Sequence, residues 1–466
     1  MSRWTQHVEA IRASIECRIG RSPSAPIDRH ARLIVLDTLG CALAGRRAPE
    51  VAALEARSAD LEGGAFAFPG GRALGLRAAT QVLAIGPTWH EACEGHAFAH
   101  GRPGIATFAA LLPLALARGA TLDAFIGAFV LGYEVGARAG GWLRVQPGLH
   151  VDGNWPGLGV AAGAAALLGA DARQAMNAVD IAACQLPSSL YLPIRTGRSV
   201  RNGYLAHSAS LGLDAAFASL SGFDAPPDAL AWYADHLCRP ATGLPDPATD
   251  LVADAYLKPF AAVRHVHFGA LAARRVLRRL RESAGESAGD PRERSRADPH
   301  AILERIDAIT LSVYEEATTY CSNPRPATPL AAQFSLSFGL AAMLRFDALD
   351  AASYDAPRFD DPVLRRLEAL VQVRVDDALT RDARRGATLS VRAGTLEASA
   401  VVRGDDPALQ LDADGAIRKF AANASHLVGR APAAAWASEW LDAERERPLA
   451  AAWSSLAAQA AATPRD

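Results

Sequence analysis

The sequence predicts a mainly α protein, in which a large all-α helical domain carries an inserted, smaller α+β domain. Residues 1–262 read as one helical segment after another. After about residue 270 the pattern changes, and three segments alternate apolar and polar residues in the manner of strands. From about residue 415 the pattern is helical again. We therefore assign 1–262 and 416–466 to the all-α domain and 263–415 to the α+β domain.

The helical part contains several long apolar segments. "HARLIVLDTLGCALAG" (30–45) ends at a glycine, and "GIATFAALLPLALARGA" (104–120) is followed by "TLDAFIGAFVLGYEVGARAG" (121–140). Thr121, with Asp123 and Ala124 after it, predicts a helix start. The segment 157–185 has small residues throughout, which lets neighbouring helices approach closely.

The predicted strands are "DAITLSVYEEA" (307–317), "LVQVRVDDAL" (370–379) and a hairpin over 387–404 that turns at Ala393-Gly394. Between the first two, "PLAAQFSLSFGLAAMLRF" (329–346) predicts a helix. The charged, Ser-, Gly- and Pro-rich stretch over 275–300 predicts an exposed helix end and a loop.

The composition narrows the classes of function. A net charge of −2 and a pI of about 6.6 indicate neither a nucleic-acid binder nor a membrane-surface protein. The six cysteines form no CxxC pair, and the N-terminus has no apolar core of a secretory signal. Charged or small residues interrupt the apolar runs 105–136 and 157–184, so we expect buried helices rather than membrane spans. We expect a cytoplasmic, soluble protein.

The stretch "WHEACEGHAFAHGRPG" (89–104) carries a cluster of reactive side chains, namely His90, Cys93, His96 and His100. Zinc sites use such ligands, but they usually draw two pairs from separate segments, and the sequence offers no second pair. We therefore expect no metal here. Nothing in the sequence indicates a stabilised thiolate at Cys93. The alternatives are a substrate-facing loop or a solvated one.

Six segments in order resemble the MmgE/PrpD family, which includes 2-methylcitrate dehydratase, cis-aconitate decarboxylase and iminodisuccinate epimerase. They are "VLDTLGCALAG", "GYEVGAR", "GLHVDGNWPGLGVAAGAAALLG", "VRNGYLAHSASLGLDAAFASLSGFDAP", "LKPFAAVRHVHFGALAA" and "NPRPATPLAAQFSLSFGLA". The resemblance implies an all-α domain with an α+β lid, an active site between them and a homodimer. It also implies small carboxylate substrates and no metal or organic cofactor.

The shared step of the family is the formation or collapse of a carbanion next to a carboxylate. Such a step needs a positioned base, together with cations or hydrogen-bond donors for the developing charge. In the acidic loop of the family, Glu91 stands at the first functional acid. Cys93 replaces a second acid, and Arg102 replaces the histidine before proline. Without the resemblance, these residues belong to a solvated loop.

The resemblance extends to five further residues. His150 matches a family histidine suited to proton transfer, and Lys258, one of two lysines in the chain, matches a family lysine. Arg201 stands where the family usually has lysine; it can hold a carboxylate but is a poor proton donor. Tyr320 matches a tyrosine of the lid, and His267 a histidine that has His265 as a neighbour. The alternative for each is a packing or surface role.

These residues predict a cofactor-independent lyase or isomerase that acts on a small polycarboxylate or related acid. His150 and Lys258 would transfer protons, with Glu91 and Tyr320 assisting. The predicted substrate-binding residues are Arg102, Arg201, His96 and His267. We favour dehydration; epimerisation or isomerisation and decarboxylation are the alternatives within this class. From another class, the alternative is a non-catalytic binding or scaffold relative.

Overall fold

The computed structural model describes residues 4–239, 243–284, 301–381 and 385–462. The predicted mainly α class is confirmed. Most of the predicted charged loop, 285–300, lies outside the described residues. The division into an all-α domain and an inserted lid remains a prediction.

The first half of the chain is helical, with short strands only. The helices are α1 (Thr5–Arg18), α2 (Ala25–Gly45), α3 (Pro49–Leu61), α4 (Leu76–Thr88), α5 (Pro103–Ala117), α6 (Leu122–Trp142), α7 (Pro156–Leu167), α8 (Ala172–Ala183), α9 (Leu192–Arg195), α10 (Tyr204–Leu220), α11 (Ala229–Leu237) and α12 (Arg264–Ser283). The short strands pair as β1 (Phe66–Ala67) with β2 (Ala73–Leu74), and β3 (Leu149–His150) with β4 (Ser189–Leu190).

The second half combines helices with a four-stranded sheet. The strands are β5 (Ile306–Val313), β6 (Val371–Val375), β7 (Gly386–Ala393) and β8 (Leu396–Arg403). The helices are α13 (Ala301–Glu304), α14 (Glu315–Cys321), α15 (Pro329–Ala332), α16 (Leu336–Phe346), α17 (Ala356–Phe359), α18 (Pro362–Ala369), α19 (Asp377–Arg381), α20 (Ala413–Val428), α21 (Arg430–Asp442) and α22 (Leu449–Ala462). Single 3-10 turns lie at Val151–Gly153, Ser199–Gly203, Leu251–Asp254, Ala351–Tyr354 and Pro407–Leu409.

The strand order in the sheet is β6-β5-β7-β8, with β5 parallel to β6 and antiparallel to β7. The predicted hairpin is confirmed: β7 and β8 pair from Gly386↔Arg403 to Ala393↔Leu396, and Gly394 in the turn has a φ of 63°. Glycine adopts this left-handed conformation without a steric penalty. The α12 helix packs against β7 and β8.

Three segments differ from the prediction. The strand expected over 370–379 ends at Val375, and helix α19 begins at Asp377. The strand expected over 307–317 ends at Val313 because helix α14 begins at Glu315, and acidic residues in a first turn favour the helix N-terminus. The helix expected over 329–346 is two helices. Ser335 is the N-cap of the second helix, and its hydroxyl accepts a hydrogen bond from Phe338 N.

The helical body packs closely through small residues. A Cβ atom on Gly132 of α6 would lie 2.7 Å from the carbonyl oxygen of Gly159 on α7, so only glycine permits this approach. The predicted start of α6 is confirmed, since Thr121 accepts a hydrogen bond from Ala124 N. The close contact fixes the N-terminus of α7, which directly follows the turn that carries His150.

The stretch 89–102 connects α4 to α5 and is tied to a distant part of the chain. Gly95 and Tyr256 exchange two backbone hydrogen bonds, of 3.0 and 2.9 Å. His96 N also donates to Gly101 O, at 2.9 Å. From the C-terminal region, α20 packs against α2. These contacts bring residues from both halves of the sequence to one cavity.

Candidate active site

A cavity of about 250 Å³ collects charged side chains from both halves of the chain. Its wall includes three carboxylates, Glu91, Asp152 and Glu316. Cationic side chains are more numerous and give the cavity an excess of four positive charges. They are Arg102, Arg144, Arg201, Arg239, Lys258, Arg264 and Arg385. A cavity of this kind favours a ligand with several negative charges.

Five buried side chains form an inner ion cluster, which contains Glu91, Arg102, Asp152, Arg201 and Lys258. Glu91 lies at its centre. Its Oε2 lies 3.0 Å from Arg102 Nη1 and 2.6 Å from Arg201 Nη2, and its Oε1 lies 2.9 Å from Lys258 Nζ. All four side chains are buried. Burial acts to raise the pKa of Glu91, but the three cations outweigh it and hold that pKa well below its usual range. Glu91 is therefore ionised at neutral pH.

The backbone at Glu91 is strained. Its φ is 52°, in the left-handed region that non-glycine residues rarely adopt. Lys258 Nζ donates to Glu91 O as well as to its carboxylate, at 3.0 and 2.9 Å. Such strain persists where the surroundings fix the conformation, and it is common at functional sites.

Asp152 is a second acid of the inner ion cluster, and it is not among the residues predicted from the sequence. Arg102 bridges the two acids, with Nη1 on Glu91 and Nη2 on Asp152 Oδ2. Arg201 Nη2 lies 3.5 Å from the same Asp152 oxygen. Burial raises the pKa of Asp152, but Arg102, His150 and Arg201 outweigh this and the net effect lowers it. Its spacing from His150 in "HVDGNW" was the available signal.

His150 lines the cavity and stands beside Asp152. Its Nδ1 accepts a hydrogen bond from Asp152 N at 3.1 Å and lies 3.8 Å from Asp152 Oδ2. Burial lowers the pKa of His150 to about 4, although Asp152 opposes the shift. The imidazole is therefore neutral at neutral pH. The bond to Nδ1 places the ring proton on Nε2 in this state.

An aromatic row forms another wall of the cavity. The ring of Tyr191 lies 5.9 Å from that of His150 and 5.5 Å from that of Tyr320. Tyr320 stacks on His265 at 5.8 Å, and His265 Nδ1 lies 2.6 Å from Tyr314 Oη. Tyr320 is 43% exposed, so its position at the cavity is open to solvent.

Family models match both parts of the chain. The MmgE/PrpD N-terminal domain matches residues 16–234, and the MmgE/PrpD C-terminal domain matches residues 260–441. The chain belongs to the MmgE/PrpD family. The family includes dehydratases and related enzymes. No curated protein gave a significant match to the chain.

Among the predicted site residues of this MmgE/PrpD protein, the structure brings most to the cavity. Those that line it are Glu91, His96, Arg102, His150, Arg201, Lys258 and Tyr320. His96 has both ring nitrogens engaged by the backbone, since Nδ1 accepts from Ala99 N and Nε2 lies 2.8 Å from Leu251 O. Burial lowers the pKa of His96, although the bond to Leu251 opposes this, and the two bonds leave neither nitrogen for a carboxylate.

His267 is not among the residues that line the cavity. It is fully buried, and its Nε2 donates to Ala262 O at 3.0 Å. Burial lowers its pKa well below the usual range. Its neighbour His265 lines the cavity instead. The two are separated by two positions on α12, and the sequence does not show which side chain faces the site.

The other reactive residues of the 89–104 stretch have separate environments. Cys93 is buried and donates to Pro87 O, and Glu94 accepts from Gly104 N in the first turn of α5. Burial raises the pKa of Glu94 to about 7. His90 lines a different cavity, whereas His100 lines the cavity with Glu91.

Two features are absent from the parts of the chain that the structure describes. No group of three or more His, Cys, Asp or Glu side chains there is arranged to hold a metal ion. None of the helices there is both long enough and apolar enough to cross a bilayer.

Proposed function

We propose that this MmgE/PrpD protein is a lyase that dehydrates a small polycarboxylate or a related acid, without a cofactor. The observation that carries the proposal is the excess of cations around a neutral histidine in one cavity. The cations would bind the carboxylates and stabilise the charge that develops when the adjacent proton leaves. A neutral histidine is the form that can accept that proton.

In this proposal, His150 is the base and Lys258 the acid. To accept a proton at Nε2, His150 adopts the other tautomer, whose Nδ1–H turns from the Asp152 amide toward Asp152 Oδ2, 3.8 Å away. Lys258 gives two of its N–H groups to Glu91, so the third is available for the substrate hydroxyl. Burial lowers the pKa of Lys258, which makes its ammonium a better acid.

The step is balanced between these two residues. His150 takes the proton from the carbon next to the carboxylate, and the C–O bond at the neighbouring carbon breaks. Lys258 protonates the leaving hydroxide, which departs as water, and a carbon–carbon double bond forms. The excess proton on His150 and the proton missing from Lys258 are exchanged with solvent before the next turnover.

The remaining predicted residues would bind and orient. Glu91 is ionised and engaged by three cations, so we assign it to holding Lys258 and the arginines rather than to proton transfer. Arg102 and Arg201 would bind the reacting carboxylate, and the Tyr320 hydroxyl would donate a hydrogen bond. We further propose that the protein forms a homodimer.

The outer part of the cavity supports a substrate with more than one anionic group. Arg144 and Arg239 are joined through a backbone hydrogen bond, Arg239 N to Arg144 O at 2.8 Å. Burial lowers the pKa of Arg144, and the nearby charge of Arg239 lowers it further. Glu316 is the carboxylate in this part, and it pairs with Arg385 at 3.2 Å. An anionic ligand would relieve the repulsion between these arginines.

The proposal is tested with citrate-like and aspartate-like acids in heavy water, followed by proton NMR. New olefinic proton signals and loss of the signals of the protons next to the carboxylate are expected, and His150→Ala should abolish both changes. His207→Ala, which removes an exposed histidine on α10, is the matched control and should act as wild type.

Other outcomes identify the alternatives. Deuterium uptake without loss of mass indicates an epimerase or isomerase, and release of carbon dioxide indicates a decarboxylase. If no acid exchanges its proton and His150→Ala leaves tight ligand binding unchanged, the protein is a non-catalytic binding relative.

A further inference from the structure

The two lysines of the chain meet at the same place. Lys419 lies on α20, far in sequence from Lys258. Its Nζ contacts Asp37 Oδ1 at 2.6 Å, Ala92 O at 2.6 Å and Lys258 O at 3.0 Å. An ammonium group has three N–H donors, and here each of them has an acceptor.

The two carbonyl groups belong to the segments that carry the inner ion cluster. Ala92 directly follows Glu91, and Lys258 is the partner of Glu91. A single ammonium therefore fixes the backbone of both segments behind the cavity, while the Lys258 ammonium joins them in front. The exchanged hydrogen bonds of Gly95 and Tyr256 lie only three and two residues away along the two segments.

Lys419 itself is outside the cavity wall. Asp37 on α2 is fully buried, and its carboxylate keeps Lys419 charged: burial acts to lower the pKa of Lys419, but Asp37 outweighs it and raises that pKa. Lys419 thus has neither the access nor the tendency to transfer a proton. Its bonds point to a role in holding the backbone.

We infer that Lys419 is a positioning residue of the active site, which acts through Ala92 O and Lys258 O to hold Glu91 and Lys258 in register. The kinetic part of this inference rests on the proposed function. Loss of Lys419 would release the strained backbone of Glu91 toward an ordinary φ. The carboxylate and the Lys258 ammonium would then move relative to a bound substrate.

The test compares Lys419→Met with Lys419→Arg. Methionine keeps an unbranched stem without donors, whereas arginine keeps the charge and several donors. Because small misplacements of catalytic groups cost up to about 100-fold in rate, we expect Lys419→Met to lower kcat by roughly 10- to 100-fold. KM should change less, by about threefold or under, since Arg102 and Arg201 also contact Asp152, which Lys419 does not touch. Lys419→Arg should restore most of kcat.

Two further variants separate positioning from general loss of stability. The double variant Asp37→Asn with Lys419→Met removes the buried carboxylate that the single variant leaves unpaired, and it should show the same loss of kcat. Arg46→Met breaks another ion pair of the helical body, Arg46–Glu55 at 2.7 Å. At a matched melting temperature it should keep the kcat of wild type. Equal losses of kcat in Arg46→Met and Lys419→Met would overturn the inference.

A second readout needs no substrate. Hydrogen–deuterium exchange followed by mass spectrometry should show faster exchange over 89–96 and 256–260 in Lys419→Met. Exchange within α5 should match wild type. If no acid is turned over by wild type, the proposed function fails, but this readout still decides the role of Lys419. Unchanged exchange in both segments would overturn it.

Discussion

Glu91→Gln should destabilise the protein through the inner ion cluster. Glutamine keeps the size of the side chain but removes a charge that three cations contact at 2.6, 2.9 and 3.0 Å. At an effective dielectric constant of about 20, one such contact is worth about 5–6 kcal/mol before desolvation. Breaking a buried ion pair costs a net of about 3–5 kcal/mol. We expect the free energy of unfolding to fall by that amount at neutral pH.

The pH dependence follows from the direction of the pKa shift. The pKa of Glu91 is lower in the folded protein than its unfolded value of 4.5. The stabilisation is therefore fully present above about pH 4.5 and is lost as the pH falls through the folded pKa. The difference in stability between wild type and Glu91→Gln should be constant above pH 4.5 and shrink below it.

The assay is urea unfolding at several pH values, with citrate added in a parallel series. Citrate supplies carboxylates to the cations that lose the Glu91 carboxylate, so it should stabilise Glu91→Gln more than wild type. Glu55→Gln is the matched control, because Glu55 is also buried but pairs with the single cation Arg46. Glu55→Gln should lower the free energy of unfolding by less than Glu91→Gln does, and citrate should stabilise it no more than it stabilises wild type.

NMR of the protein with isotope-labelled lysine measures the pKa of Lys258 independently, since the chain has only two lysines and their signals can be told apart. In Glu91→Gln the pKa of Lys258 should fall further, because burial already lowers it and Glu91 is the main group that opposes this. The signal of Lys419 should stay that of an ammonium. The reasoning about the inner ion cluster is refuted if Glu91→Gln is as stable as wild type at neutral pH, or if the pKa of Lys258 is the same in both proteins.

Three further predictions concern the rest of the cavity. Since burial lowers the pKa of His150 to about 4, kcat/KM should show no histidine titration near pH 6.5, and its acidic limb should appear only as the pH approaches 4. His150→Gln should lower kcat by about 10²- to 10⁴-fold. Asp152→Asn should lower kcat and, by removing the main charge that raises the pKa of His150, move its NMR titration to still lower pH. The double variant Arg144→Gln with Arg239→Gln should weaken citrate binding, measured by calorimetry, by about 10-fold or more per arginine. The control Arg72→Gln removes an exposed ion pair with Asp60 and should leave citrate binding unchanged.

Periodicity was sufficient for most of the fold. The helices and the β7–β8 hairpin were predictable because their apolar spacing and the glycine turn act locally. Misplaced boundaries lie at Val313 and Val375, where an element with first-turn acids begins, and at Ser335, where a capping hydroxyl begins a helix. Those are single-residue effects within continuous apolar patterns, which periodicity does not resolve.

Family motifs mark single positions such as Glu91 and Lys258, and the structure brings both of these residues to one cavity. The sequence does not mark Arg144 and Arg239, the outer arginines, as functional. Nearly all basic residues of this chain are arginine, so a functional arginine does not stand out. Histidines raised the opposite difficulty. The residue type of His96 and His267 shows a capacity for proton transfer or binding. Only the structure shows that the backbone engages both ring nitrogens of His96 and the Nε2 of His267.

The two arginines that depart from the family motif explain how two acids coexist in the buried cluster. One guanidinium, that of Arg102, reaches both Glu91 and Asp152 with different nitrogens, which the compact ammonium of a lysine is less suited to do. A guanidinium also keeps its charge at every physiological pH, whereas a histidine at position 102 would not. The inner cluster therefore holds a fixed surplus of one positive charge, enough for one reacting carboxylate. Any further carboxylate of the substrate must then be balanced by the outer arginines, and it is there that we expect substrate choice to be made.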